Sequence, residues 1–151
     1  MTVALIDASP KPRGSTSGIL LSHLRQRLPA GVEGSEQRLR CPALPPEALP
    51  VLQNADVWVF ACPLYVDGLP SHLLACLMEL EKQGLAGKTV YAVVNCGFYE
   101  GVQAEPALGV FENWCARAGH TYGGGWASAG AAPSRSCPRQ KRAPWPRSSG
   151  R

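Results

Sequence analysis

The 151-residue sequence predicts an α/β domain: an open, doubly wound, parallel five-stranded sheet with helices on both faces. Two observations predict it. Short apolar runs alternate with amphipathic helical stretches along residues 1 to 126, the order that feeds right-handed crossovers between parallel strands. The runs are also nearly continuous in apolar residues, as strands buried on both faces require.

Strands are expected at residues 2 to 8 (TVALIDA), about 33 to 39 (EGSEQRL, the least apolar), 56 to 62 (DVWVFAC), 88 to 95 (KTVYAVVN) and about 120 to 126. The first helix is placed at about 16 to 28, where Leu20, Leu24 and Leu28 recur one turn apart. Leu73, Leu77 and Leu80 share a face over 70 to 82, and Ala107, Phe111, Trp114 and Ala118 align over about 103 to 118. The segment PALPPEALPVLQN, 42 to 54, holds too many prolines for more than a helical turn or two.

Charge divides the chain. Of its 15 Lys and Arg residues, Arg135, Arg139, Lys141, Arg142, Arg147 and Arg151 fall in residues 127 to 151, which hold no acid; nine cations thus face all 11 acids over residues 1 to 126. The body is mildly acidic. The tail carries Pro133, Pro138, Pro144 and Pro146 and no apolar period, so it is expected to be disordered. Six cysteines are widely spread without a CxxC pair, which signals neither a disulfide framework nor a zinc knuckle. No basic region precedes the N-terminal apolar run, and no stretch of about 18 apolar residues occurs. A cytoplasmic protein with reduced thiols and no membrane segment is expected.

In an open parallel sheet, ligands bind off the carboxyl ends of the strands. Three loops leave those ends. The first, SPKPRGSTSG (9 to 18), enters a helix N-terminus, whose unpaired N–H groups favour an anion. Gly14 allows close approach; Ser9, Ser15, Thr16 and Ser17 supply hydroxyls, with Lys11 and Arg13 nearby. This matches a phosphate cradle without being a P-loop or a GxGxxG turn. A capped helix behind a proline turn is the equal alternative. The second loop, Pro63 to Pro70 (PLYVDGLP), places an aromatic and aliphatics at a strand end, suited to a flat partner or to its own helix. The third, Asn95 to Gly101 (NCGFYEG), brings two more aromatics to the same edge. A phosphate tail with a planar head fits all three, and flavin mononucleotide (FMN) has that shape.

The chain resembles the flavodoxin-like NAD(P)H-dependent FMN reductase and quinone reductase proteins, most closely in ADVWVFACPLYVDGLPSHLL (55 to 74) and VYAVVNCGFYEGVQ (90 to 103), over residues 1 to 126. The resemblance implies that Ser9, Lys11, Ser15, Thr16 and Ser17, with Arg13, hold the phosphate. It implies that Pro63, Leu64, Tyr65, Val66 and Asp67 line the isoalloxazine from one side, and that Asn95, Cys96, Gly97 and Phe98 meet the ring edge. The implied activity is electron transfer from NAD(P)H through FMN to a quinone or similar small molecule, with no catalytic side chain required.

Two departures qualify this. Asp7-Ala8 stands where the family often has Asn-Gly, which puts a carboxylate beside the expected dianion. An aspartate-nucleophile phosphatase is discounted, because its partner acid two residues on is here Ser9. After Tyr122-Gly123-Gly124-Gly125-Trp126 the family continues into a last helix, whereas this sequence turns basic and proline-rich, as a frameshifted or truncated C-terminus would. A partly bare sheet face and dimerisation are then expected.

Other residues read more plainly. His72 and Cys76, four apart, would make a metal pair, but packing is the better reading; Cys96 likewise reads as a packed thiol. The tail is expected to adhere to nucleic acid without specificity. The alternatives to a reductase are a non-enzymatic FMN electron carrier and a flavin-free interaction domain.

Overall fold

The computed structural model describes residues 1–97 and 101–129. Strand β1 (Thr2–Asp7) is followed by α1 (Thr16–Arg25), β2 (Glu33–Arg38), α2 (Ala48–Asn54), β3 (Val57–Pro63), α3 (Ser71–Lys82), β4 (Thr89–Cys96), a 3-10 turn (Gly101–Ala104), α4 (Glu105–Ala118) and β5 (Thr121–Ala129). All strands pair in parallel in the order β2-β1-β3-β4-β5. The expected fold class is present.

Element ends follow local chemistry. Helix α1 closes at Arg25 instead of the expected 28, because Leu28 precedes Pro29 and is disfavoured in the α region; the chain leaves through short turns, with Arg27 N–H on the Leu24 carbonyl at 2.9 Å. Helix α4 starts at Glu105, not 103, with Pro106 in its first turn, and ends at Gly119 in the left-handed region (φ 72°). Strand β5 runs to Ala129, beyond the expected end at 126. The expectations for the rest of the tail, residues 130 to 151, and for Phe98 lie outside the described residues.

The two faces of the sheet are unequal. Alternate residues Ala4 and Ile6, Trp58 and Phe60, and Val90 and Ala92 meet α2, α3 and α4 in the larger core. Trp58 and Trp114 stack there, ring centroids 6.4 Å apart, and their indole N–H groups donate to the carbonyls of Leu52 (3.0 Å) and Leu77 (2.9 Å), so neither buried donor is orphaned. On the opposite face, among the described residues, α1 alone covers Val3, Leu5, Val57 and Val59 through Leu21 and Leu24. Over β4 and β5 that face stays open among the described residues: Val93 is only half-buried, and its register partner Trp126 is 68% exposed. Gly123 suits this edge, because a Cβ there would lie 2.5 Å from the Tyr91 ring.

Among the described residues no helix is long and apolar enough to cross a membrane.

Candidate functional site

The switch point of this strand order lies between β1 and β3, and three strand-end segments meet there. Their spacing is set by backbone bonds. Ala8 N–H donates to the Ala61 carbonyl (2.9 Å), and Leu64 N–H to the Asn95 carbonyl (2.8 Å). A side chain closes the ring: Asn95 Nδ2 donates to Ser17 Oγ at 2.7 Å, joining the end of β4 to the first turn of α1. Between them lies a cavity of about 190 Å³ lined by Ser9, Lys11, Thr16, Ser17, Pro63, Leu64, Tyr65, Asn95 and Gly97.

Four of the six expected anion ligands therefore converge: Ser9, Lys11, Thr16 and Ser17. The other two, Arg13 and Ser15, line a separate cavity on the outer flank of the same loop. Ser15 is the N-cap of α1, its Oγ accepting from Gly18 N–H at 3.0 Å. Of the expected ring contacts, Pro63, Leu64 and Tyr65 reach the cavity, with Tyr65 46% exposed. Val66 and Asp67 do not line it; they form the tip of a tight turn closed by Tyr65 N–H to Gly68 carbonyl (2.9 Å) and Gly68 N–H to Tyr65 carbonyl (3.0 Å). Both tip residues have positive φ, 47° and 59°, the mark of a type I′ turn, and a β-branched valine is strained there. Asn95 and Gly97 line the cavity, but Cys96 alternates to the other face of β4 and is buried.

Asp7 has a role that its sequence position alone did not disclose. Its Oδ1 accepts from Ser9 N–H at 3.0 Å and its Oδ2 from Ser15 Oγ–H at 2.9 Å, all three residues being buried. The carboxylate thus organises the loop from within, taking two donors that an incoming anion would otherwise use. Ser9, Lys11, Thr16 and Ser17 line the cavity; Ser9 Oγ accepts from Lys11 N–H at 3.3 Å and Ser17 Oγ from Asn95, so each of these two hydroxyls keeps its own hydrogen to donate. The signal was the Asp7 to Ser15 spacing, which is a loop-bracing pair as readily as a departure from a cradle.

Burial pushes Cys62, at the end of β3, up to about 12, so it stays protonated. The His72 and Cys76 side chains each meet a backbone oxygen: His72 Nε2 lies 3.2 Å from the Ala8 carbonyl, and Cys76 Sγ donates to that of Cys41 (3.3 Å).

Strand order and site position define a flavodoxin-like fold. The chain is similar in structure to the Trp repressor binding protein of Bacillus subtilis, with TM-score 0.69 and 16% identity over 87% of this chain and 86% of that one. It is similar to an NADPH-quinone reductase from P. pentosaceus (0.64, 18%, 85% of each chain) and to general stress protein 14 of Treponema denticola in complex with FMN (0.62, 15%, 85% of each). No protein-family model and no curated protein matches the sequence.

Proposed function

We propose that the protein is an FMN-dependent oxidoreductase that accepts electrons from NAD(P)H and delivers them to a quinone or a similar small molecule. The observation that carries this reading is that one cavity is lined by a lysine and three hydroxyl residues together with Pro63, Leu64 and Tyr65. That donor set suits a phosphate, with Lys11 contributing charge-assisted bonds and the start of α1 its dipole. The cavity is smaller than the roughly 300 Å³ of a whole-ligand cleft, so it encloses one end of a flavin and leaves the ring system to lie across Tyr65. The neighbours named for FMN and for NADPH-quinone reduction support the same reading.

Bound flavin would supply the hydride and electron chemistry. The chain's own residues bind and orient. Lys11, Ser9, Thr16 and Ser17 fix the charged end, and the Asn95–Ser17 bond holds the β4 segment against that anchor. Pro63 and Leu64 exclude water from one side of the planar group.

A second reading, a domain that holds no flavin, is favoured by Asp7, which already occupies two donors of the loop. One experiment separates them. The full chain is mixed with FMN, desalted and scanned: a retained flavin band supports the proposal, and a colourless protein supports the flavin-free domain. Steady-state NADPH oxidation with a quinone then distinguishes a reductase from an electron carrier, for which turnover is absent.

A further inference from the structure

The outer flank of the phosphate loop holds a second cavity that the flavin reading does not use. Its volume is about 370 Å³, within the range of sites that take small organic ligands. Three arginines border it: Arg13 from the loop, and Arg38 and Arg40 from the end of β2 and the residues after it. Its two acids are already engaged. Asp7 accepts from Ser9 and Ser15, and Glu36 pairs with Arg25 at 3.0 Å. Arg40 donates to the Lys11 carbonyl and so braces the loop, while Arg13 and Arg38 make no hydrogen bond or ion pair among the described residues. Leu5 and Leu21 close the floor and are themselves buried, and the half-exposed Ile19 supplies an apolar surface at the side.

We infer that this cavity binds a ribonucleoside carrying a phosphomonoester, its dianion held by Arg13 and Arg38 and its base laid on Ile19. Guanidinium groups grip phosphate through paired N–H donors, which a lone ammonium cannot match. The exposed Ile19 side chain beside those arginines separates this ligand class from inorganic phosphate, which would leave Ile19 uncovered. The same chemistry occurs in a free mononucleotide and in the phosphorylated ribose of NADPH.

The test is calorimetric titration of the full chain with AMP, NADPH and adenosine, repeated on Arg38→Gln and on Lys82→Gln, a matched charge removal at the far end of α3. AMP or NADPH binds at least tenfold tighter than adenosine; Arg38→Gln weakens that binding about tenfold or more, and Lys82→Gln changes it less than twofold. Binding of both phosphorylated ligands points to a free-nucleotide site, and binding of NADPH alone to the dinucleotide. Arg13→Gln is the second variant and behaves like Arg38→Gln. Absence of binding by both AMP and NADPH, adenosine binding as tightly as the phosphorylated ligand that binds, or equal losses in Arg38→Gln and Lys82→Gln would overturn the inference. Flavin retention by Arg38→Gln equals that of the wild type, so failure here and failure of the flavin reading are seen separately.

Discussion

Replacing Asp7 tests how the first loop is built. Asp7→Ala removes the acceptor of two hydrogen bonds, Ser9 N–H at 3.0 Å and Ser15 Oγ–H at 2.9 Å, both on buried residues. A bond to a charged group contributes about 1.5–3 kcal/mol net. Water entering from the outer cavity, which Asp7 also lines, offsets part of that loss. The expected destabilisation is about 2–4 kcal/mol. Asp7→Asn keeps the carbonyl acceptor for Ser9 and turns the other atom into a donor to Ser15 Oγ, which goes on capping Gly18; the expected loss is about 1 kcal/mol. Urea unfolding followed by far-ultraviolet circular dichroism measures both, with the slope checked for constancy. The same Asn variant removes a negative charge bonded to Ser9, a residue of the inner cavity, so it also retains FMN more tightly than the wild type. An Ala variant within 1 kcal/mol of wild type, or an Asn variant as damaged as Ala, refutes the view that this carboxylate braces the loop.

Two further outcomes are expected. Val66→Asn stabilises the protein by about 1 kcal/mol in the same urea assay, because asparagine accepts the positive φ that valine resists at the turn tip and Val66 is fully exposed. His120 is held below its ordinary pKa, first by burial and then by the Lys88 charge, and its Nδ1 accepts from Lys88 N–H at 3.4 Å. The folded imidazole therefore takes up its proton at a lower pH than the unfolded one does near 6.5, so stability falls as pH drops through that value, by at most about 1.4 kcal/mol per unit. In His120→Gln this part of the pH dependence between 7 and 5 disappears; an unchanged slope would contradict the assignment.

Much of the fold was legible because burial leaves a period in the residues. The leucines of α3 and the Ala107, Phe111 and Trp114 face of α4 enter the larger core as their spacing implies. Strand β2, whose EGSEQR reads as polar, still forms, because it is the sheet edge and pairs only with β1; its exposed positions need no apolar side chains. Within the site, alternation alone separates Asn95 from Cys96, since neighbours on a strand face opposite ways. What could not be read was the path of a loop with few apolar anchors. Ser15 as cap and the outward course of Arg13 go with the Asp7 bonds, a contact across eight residues whose spacing in the sequence fits a loop brace and a phosphate cradle equally.

The uneven layering of helices gives the molecule a weak side and a strong side. Helices α3 and α4 are fastened by the Trp58–Trp114 stack and a continuous aromatic core, whereas α1 rests on a handful of aliphatic contacts with a flank left open among the described residues. Amide protons of α1 are then the first to exchange with deuterium and those of α3 the last. The serines and lysine of the anion loop sit at the head of that least protected helix, so any molecule gripping them raises protection most where it is lowest. Occupancy would be legible in the exchange map of a single ten-residue segment.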